Sequence, residues 1–424
     1  MIEKIMKLLK SAGVTCWKLR EDLVESEEFF FIKTKTDIGR AKKVKKFELT
    51  VYKDFEENGE KYRGSSAVSL SPIMNSDELK DSIKGAVMAA GFVKNPWYPI
   101  VPPYTENFLS PEYELEDLSY DVVTAIMGQK DHSSAWINSA EAFISRNTSR
   151  IMNSEGLDVS FSRYKTYIET IVSASGKEEV ELYDQFLLSV PKSEMIKKRI
   201  SKMLDLVEER SNATSTPSLK TIPVILTGEP VKEVMRYYLM QTNANLKYNK
   251  ISEANIGQSV QGKESGDKIT LYILPEVENS YYGGPVDNDG FKIVSKKILD
   301  NSVLKNYWGD MRYSYYLDIN PTGGATNFKV SPGNLSTNEM RENRHLEVTH
   351  FSAVDVDETT GDFGGEIRLG WYFDGSKRIP VYGGSVTGNL KDLKSLYLSK
   401  ETELEGNYFG PCSLLVEGFN VSGE

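Results

Sequence analysis

The chain reads as an α+β protein: a mixed α/β N-terminal domain, a central α+β domain and a large β-rich C-terminal domain. Three observations predict this. Within each stretch, strand-like runs are followed by separate helices, without the regular alternation that builds a parallel α/β sheet. A proline-rich break and a polar linker divide the chain. From about residue 250 onward, β-branched and aromatic residues recur between Gly, Asn and Asp turns. The boundaries fall at 1–105, 106–215 and 216–424, in keeping with roughly 150 residues per domain in a chain of 424.

The first unit opens with Ile2, Ile5, Met6 and Leu9 at helical spacing, lysines between them. No continuous apolar stretch follows, so a docked first helix is expected rather than a signal or membrane anchor. The runs "EEFFFIKTKT" and "KFELTVYKD" read as strands, with a turn at "EENGEKYRG". Asn75 and Glu78 form a capping box ahead of a helix whose apolar face holds Leu79, Ile83, Ala86, Val87 and Ala90. "KNPWYPIVPPYTE" breaks helix and sheet alike, and sets the first boundary.

The second unit has a short helix at "SYDVVTAIMGQK", then strands at "WINSAEAFISR" and "VSFSRYKTYIETIVSA" joined by a turn at "MNSEGLD". A helix with Met195, Ile196, Ile200, Met203, Leu204 and Val207 on one face closes it. After the linker "SNATSTPSLK", the third unit starts with the buried-type strand "TIPVILTGEP" and the helix "VKEVMRYYLMQ". No internal repeat or long low-complexity tract interrupts the chain.

Composition narrows the function classes. The chain is 39% hydrophobic and 26% charged, enough to build cores. Its net charge is −10. That balance argues against nucleic acid as a partner, since such binding neutralises phosphates with Lys and Arg. The longest apolar run, about Ala86 to Val93, is far short of the roughly 20 residues that span a bilayer. Cys16 and Cys412 make no disulfide framework, which fits a reducing compartment. A cytoplasmic protein is expected.

The stretch "HLEVTHFSAVDVDETTGDFGGE" concentrates metal-type ligands, with two of the chain's three histidines. A helical zinc site needs histidines at i and i+4 to share a face. His345 and His350 are spaced otherwise, on a strand-like pattern that puts His345 and Glu347 on one face and His350 on the other. Partly exposed strand histidines are the expected reading. As a calcium loop counted from Asp355, the stretch has Asp357 and Glu366 in place. It carries Thr360, however, where the sharp turn requires Gly. A solvated acidic turn between two strands is expected instead. GxGxxG, GxxxxGK[ST] and GxSxG are all missing. His132 lies beside Asp131 and serines, but closeness along the chain does not make a triad.

The order of local patterns carries more information than any one of them. "NSEGLDVSFSRY", "VILTGEPVKEVM", "SVLKNYWGDMRYS", "PTGGATN", "VSPGN", "TGDFGGEIRLGWYFDGSKRIPV", "GGSVTGNLKDL" and "LLVEGFNVSG" follow one another along the chain. In that order they resemble the TldD/PmbA family, also labelled "modulator of DNA gyrase" and peptide-maturation protease. One kind of member, TldD-like, binds zinc through H-E-x-x-x-H on the helix after the "VILTG"-type strand, together with a later cysteine. The resemblance places Arg236 and Tyr237 where His-Glu would stand, and Gln241 at the second histidine. An arginine stays protonated and cannot ligate zinc. Cys412 lies past the expected ligand cysteine.

The resemblance therefore implies a PmbA-like (TldE) member that lacks the metal motif. It implies no catalytic residue and no metal or cofactor in this chain, zinc in a TldD-like partner, and Arg236, Tyr237 and Gln241 facing a channel for unfolded peptide. Its expected partners are that zinc peptidase subunit in a heterodimer, or a second copy in a homodimer. No nucleic acid or membrane is expected. Two rivals stand beside this reading. One is a homodimeric peptide-binding protein with no protease activity. The other is a hydrolase using Arg344, His345 and Glu347.

Overall fold

The computed structural model describes residues 1–130 and 132–423. Helix α1 (Ile2–Ser11) leads into three antiparallel strands, β1 (Cys16–Ile32), β2 (Lys35–Glu57) and β3 (Glu60–Leu70). The β2–β3 turn has Asn58 at φ 54° and Gly59 at φ 80°. Both residues are left-handed, as a tight two-residue hairpin needs, and Asn and Gly tolerate that best. Helix α2 (Ser76–Ala90) starts at the expected capping box. Asn75 Oδ1 accepts the Asp77 and Glu78 amides at 2.9 and 3.0 Å, and Glu78 accepts the Asn75 amide at 2.8 Å. Its Leu79, Ile83, Ala86 and Ala90 are buried with Ile5 and Leu9 of α1 and with Leu19, Phe47, Leu49 and Val51 of the sheet.

The sheet does not stop at the proline-rich stretch. After β4 (Thr105–Phe108) and α3 (Leu115–Met127) come β5 (Ala135–Asn153), β6 (Asp158–Ser175) and β7 (Glu179–Leu188). β5 pairs with β1 from Lys18↔Asn153 to Ile32↔Ser139, so one seven-stranded sheet runs across the 105/106 boundary. The prolines lie at the sheet's surface, and two apolar clusters form over different parts of the same strands. The second cluster packs α3 and α4 (Ser193–Ser211) on β5 to β7. Ile196, Ile200, Met203, Leu204 and Val207 are buried there as expected, but Met195 is exposed.

The C-terminal region forms an eleven-stranded and a six-stranded sheet. In the larger, β8 (Val224–Thr227) lies parallel to β9 (His345–Val356), and α5 (Glu229–Met240) follows β8 and packs back onto β9. β9 pairs antiparallel with β10 (Asp362–Phe373) through three register shifts. The smaller sheet ends in β12 (Tyr408–Pro411) and the edge strand β11 (Thr402–Glu405). Leu369 and Trp371 of β10 pack into the α3–α4 cluster, which joins this region to the first sheet. Among the described residues, no helix is long and apolar enough to cross a membrane.

Candidate functional site: a cleft beside helix α5

Helix α5 begins after Gly228, whose φ of 73° turns the chain out of β8. Pro230 sits in its first turn, where a missing N–H costs nothing. Val231, Val234, Met235, Tyr238 and Leu239 bury one side of it. Arg236, Tyr237 and Gln241 all converge on a single feature, the turn between β9 and β10. Arg236 Nη2 lies 2.5 Å from Glu358 Oε1, and its Nη1 lies 3.6 Å from Glu233. The Gln241 side-chain amide donates to the Glu358 carbonyl at 2.5 Å, while the Gln241 backbone carbonyl accepts from the Ser252 hydroxyl. Tyr237 is buried against Gly361, where an added Cβ would stand 3.2 Å from the ring. Burial pushes the Tyr237 phenol up to about 12.

That turn is the solvated acidic turn expected from sequence. Asp357 Oδ1 accepts the amides of Thr359 and Thr360 at 2.7 and 2.8 Å, which holds its carboxyl down at about 2. Gly361 completes it at φ 82°. The Asp357 carboxylate thus caps its own backbone, as Asp does in short turns.

A cleft of about 440 Å³ opens along the N-terminal part of α5, with α4 and β7 on one wall and β9 and β11 on the other. Arg199 of α4 grips Asp184 of β7 with two nitrogens at 2.6 and 2.9 Å and reaches Glu405 of β11 at 3.2 Å. This triad ties the first sheet to the six-stranded one across the cleft floor. His350 of β9 faces the same space; among the described residues its Nδ1 has no hydrogen-bond partner, and burial pushes its imidazole down to about 4. Burial, then neighbouring Glu405, pushes the Glu403 carboxyl up.

Backbone is available on the wall formed by β9 and β11. Among the described residues β11 pairs only with β12, so its other edge has no strand neighbour there. Between Phe351↔Ile367 and Val354↔Gly365, Ser352 and Ala353 of β9 bulge out and are exposed. Such bulges re-aim backbone and side chains beside binding sites.

The predicted residues do not line this cleft; Glu229 and Lys232, earlier on the same helix, do. A larger cavity of about 620 Å³, between residues 106–113 and residues 276–285, also excludes all three. His345 is buried rather than partly exposed, with Nδ1 2.6 Å from the Asn343 carbonyl. Glu347 beside it is held by Arg341 at 2.5 and 2.8 Å, and Arg344 donates to the Tyr372 hydroxyl. Glu347 is thus committed to Arg341, while His345 Nε2 is buried without a hydrogen-bond partner among the described residues. His350 lies apart from them, on the cleft wall, and register shifts interrupt β9 on both sides of it. His132 Nδ1 lies 3.4 Å from Asp205, while Ser134 donates to Glu208; Asp131 lies outside the described residues. Cys412 neighbours Ser399 and Thr337 hydroxyls. Among the described residues, no three His, Cys, Asp or Glu side chains group as metal ligands.

Sequence reading missed the role of β7. The alternation of buried Val180, Leu182, Asp184, Phe186 and Leu188 was the available signal. Asp184 enters that alternation as an acid, and only the structure supplies its partner, Arg199.

Residues 219–423 match the PmbA/TldA metallopeptidase C-terminal domain. An uncharacterized protein of Methanocaldococcus jannaschii is 24% identical over 277 residues, covering 62% of this chain and 64% of that one. A metalloprotease PmbA homolog of Haemophilus influenzae is 22% identical over 215 residues, covering 49% and 47%. Each match thus spans less than two thirds of the relative's own length. The crystal structure of TldE from Thermococcus kodakarensis superimposes with a TM-score of 0.76 over 99% of both chains, at 15% identity.

Proposed function

We propose, for this chain of the PmbA/TldD family, the part of a metal-free, TldE-like subunit in a two-chain cytoplasmic peptidase. It shapes the channel for unfolded peptide and leaves the zinc to a TldD-like partner. One observation carries this reading. At the positions that resemblance assigns to the zinc motif stand an arginine paired with Glu358, a buried tyrosine under Gly361 and a glutamine bonded to the Glu358 carbonyl. These side chains do not fit a zinc ion. A guanidinium offers no lone pair, and the Gln241 amide already serves the turn.

What the chain offers a peptide is shape and backbone. The free edge of β11 can add an extended segment as a further strand. On the same wall, the neutral His350 ring presents a nitrogen that can meet a peptide amide or carbonyl according to its tautomer. Zinc held by a partner would supply Lewis-acid polarisation of the scissile carbonyl. The chain's own residues would hold the substrate extended.

The test compares cleavage of an unfolded reporter peptide by the chain alone, by a zinc-bearing TldD-like protein alone and by the two mixed. Cleavage should require the zinc-bearing protein, increase when this chain is added, and stop with chelator. Robust, chelator-insensitive cleavage by this chain alone would overturn the reading. The second reading, a homodimeric peptide-binding protein with no protease, is favoured by the same cleft and free edge, since neither needs a metal. A stable homodimer that binds peptide and ignores the TldD-like protein on co-purification would select it.

A further inference from the structure

The distal half of the β1–β2 hairpin carries a feature that the cleft does not use. β3 pairs with β2 only from Phe47 to Glu57, so residues 35–46 form an edge whose only strand neighbour among the described residues is β1. At about 3.3 Å per residue, twelve residues of edge run for about 40 Å. The edge is strongly basic within an acidic chain. From Lys33 to Lys46 there are seven Lys or Arg residues against one Asp, while the whole chain carries −10.

Some of that charge is met inside the hairpin. Arg40 and Lys42 reach Glu28, Lys43 reaches Glu25 and Lys45 reaches Glu21. Among the described residues Lys33, Lys35 and Lys46 make no ion pair, and the basic residues from Lys33 to Lys46 are all exposed. Ile38 adds an exposed apolar contact near the tip.

We propose that this edge binds an acidic, extended segment of another protein, which adds to the sheet as a strand beside β2. Main-chain hydrogen bonds would supply the pairing, as in other strand additions, and the lysines would select for Glu and Asp in the incoming strand. A second copy of this chain is disfavoured as occupant, because edge-to-edge pairing of two β2 strands sets lysine against lysine. Lysines also guard edges against such self-pairing; a guard alone gives no affinity for an acidic strand, and that difference is measurable. The proposal stands independently of the peptidase reading.

The probe is a fluorescent twelve-residue peptide of alternating Glu and Val, titrated with the full chain at moderate salt. Binding should weaken at least tenfold in the quadruple variant Lys35→Glu, Lys43→Glu, Lys45→Glu, Lys46→Glu. It should weaken comparably in a peptide whose alternate amides are N-methylated, and vanish for the Lys-for-Glu peptide. The single variant Lys46→Glu, at an exposed position, should give a smaller loss in the same direction and guards against misfolding of the quadruple one. No binding, or equal binding of the N-methylated peptide, would overturn strand addition. A concentration-dependent dimer of the chain that the quadruple variant abolishes would assign the edge to a second copy instead.

Discussion

Gln241 and Arg236 touch the same turn with different consequences. Gln241 is buried and its amide donates to a backbone carbonyl, so Gln241→Ala leaves the Glu358 carbonyl short of a partner. The expected loss is about 1 to 2 kcal/mol, read from the midpoint of urea unfolding. The Arg236–Glu358 pair is half exposed, and screening reduces it to below about 0.5 kcal/mol. Two titrating groups make a second prediction, of opposite signs. His350 is depressed to about 4 by burial, so the stability it contributes is complete above its ordinary 6.5 and is lost as pH falls through 4. Asp287 is raised to about 6, by burial and then by Asp289, so its contribution is complete below its ordinary 3.8 and is lost as pH rises through 6. Between pH 4 and 6 the two oppose. In stability–pH profiles, His350→Gln should remove a decline toward acid, and Asp287→Asn should steepen it. These environments were not legible in sequence. Burial of His345 and the register shifts around His350 depend on strands that join only in the folded chain.

Elements with strong local signals were readable. The α2 capping box and the spacing of Leu79, Ile83, Ala86 and Ala90 specify that helix without help from the rest of the chain. The β1–β2 hairpin was only half readable, because "KTDIGRAKKVKK" is polar on both faces and carries no period-2 signal. Its 23-residue strand is revealed by pairing with β1. One position fixes how α2 sits on the sheet. Gly64 of β3 lies so close to the end of α2 that a Cβ would stand 1.8 Å from the Ala90 carbonyl oxygen and 2.7 Å from that of Val93. Gly64→Ala must displace the helix end, and should destabilise by about 3 kcal/mol. A calorimetric scan would show this as a lowered Tm, while Gly85→Ala, where a Cβ meets nothing within 4 Å, should be neutral or stabilising.

At the scale of the molecule, the three expected units interlock. One sheet crosses the first boundary, Leu369 and Trp371 of the third unit pack among α3 and α4, and Arg199 bridges β7 to β11. Proline and linker composition reports where the chain bends at the surface. It does not report whether strands on either side pair, which is why the sequence divided what the sheet unites. The cleft lies where these units meet, and the motif positions of α5, which carry no metal ligands, face the β9–β10 turn instead. The most direct measurement is zinc per chain by elemental analysis, after equilibration with zinc and removal of the excess. A content far below one per chain is expected, with unfolded-peptide cleavage appearing only when a zinc-bearing partner is added. One tightly held zinc per chain, lost when a histidine or cysteine of this polypeptide is substituted, would contradict a subunit that leaves the metal to its partner.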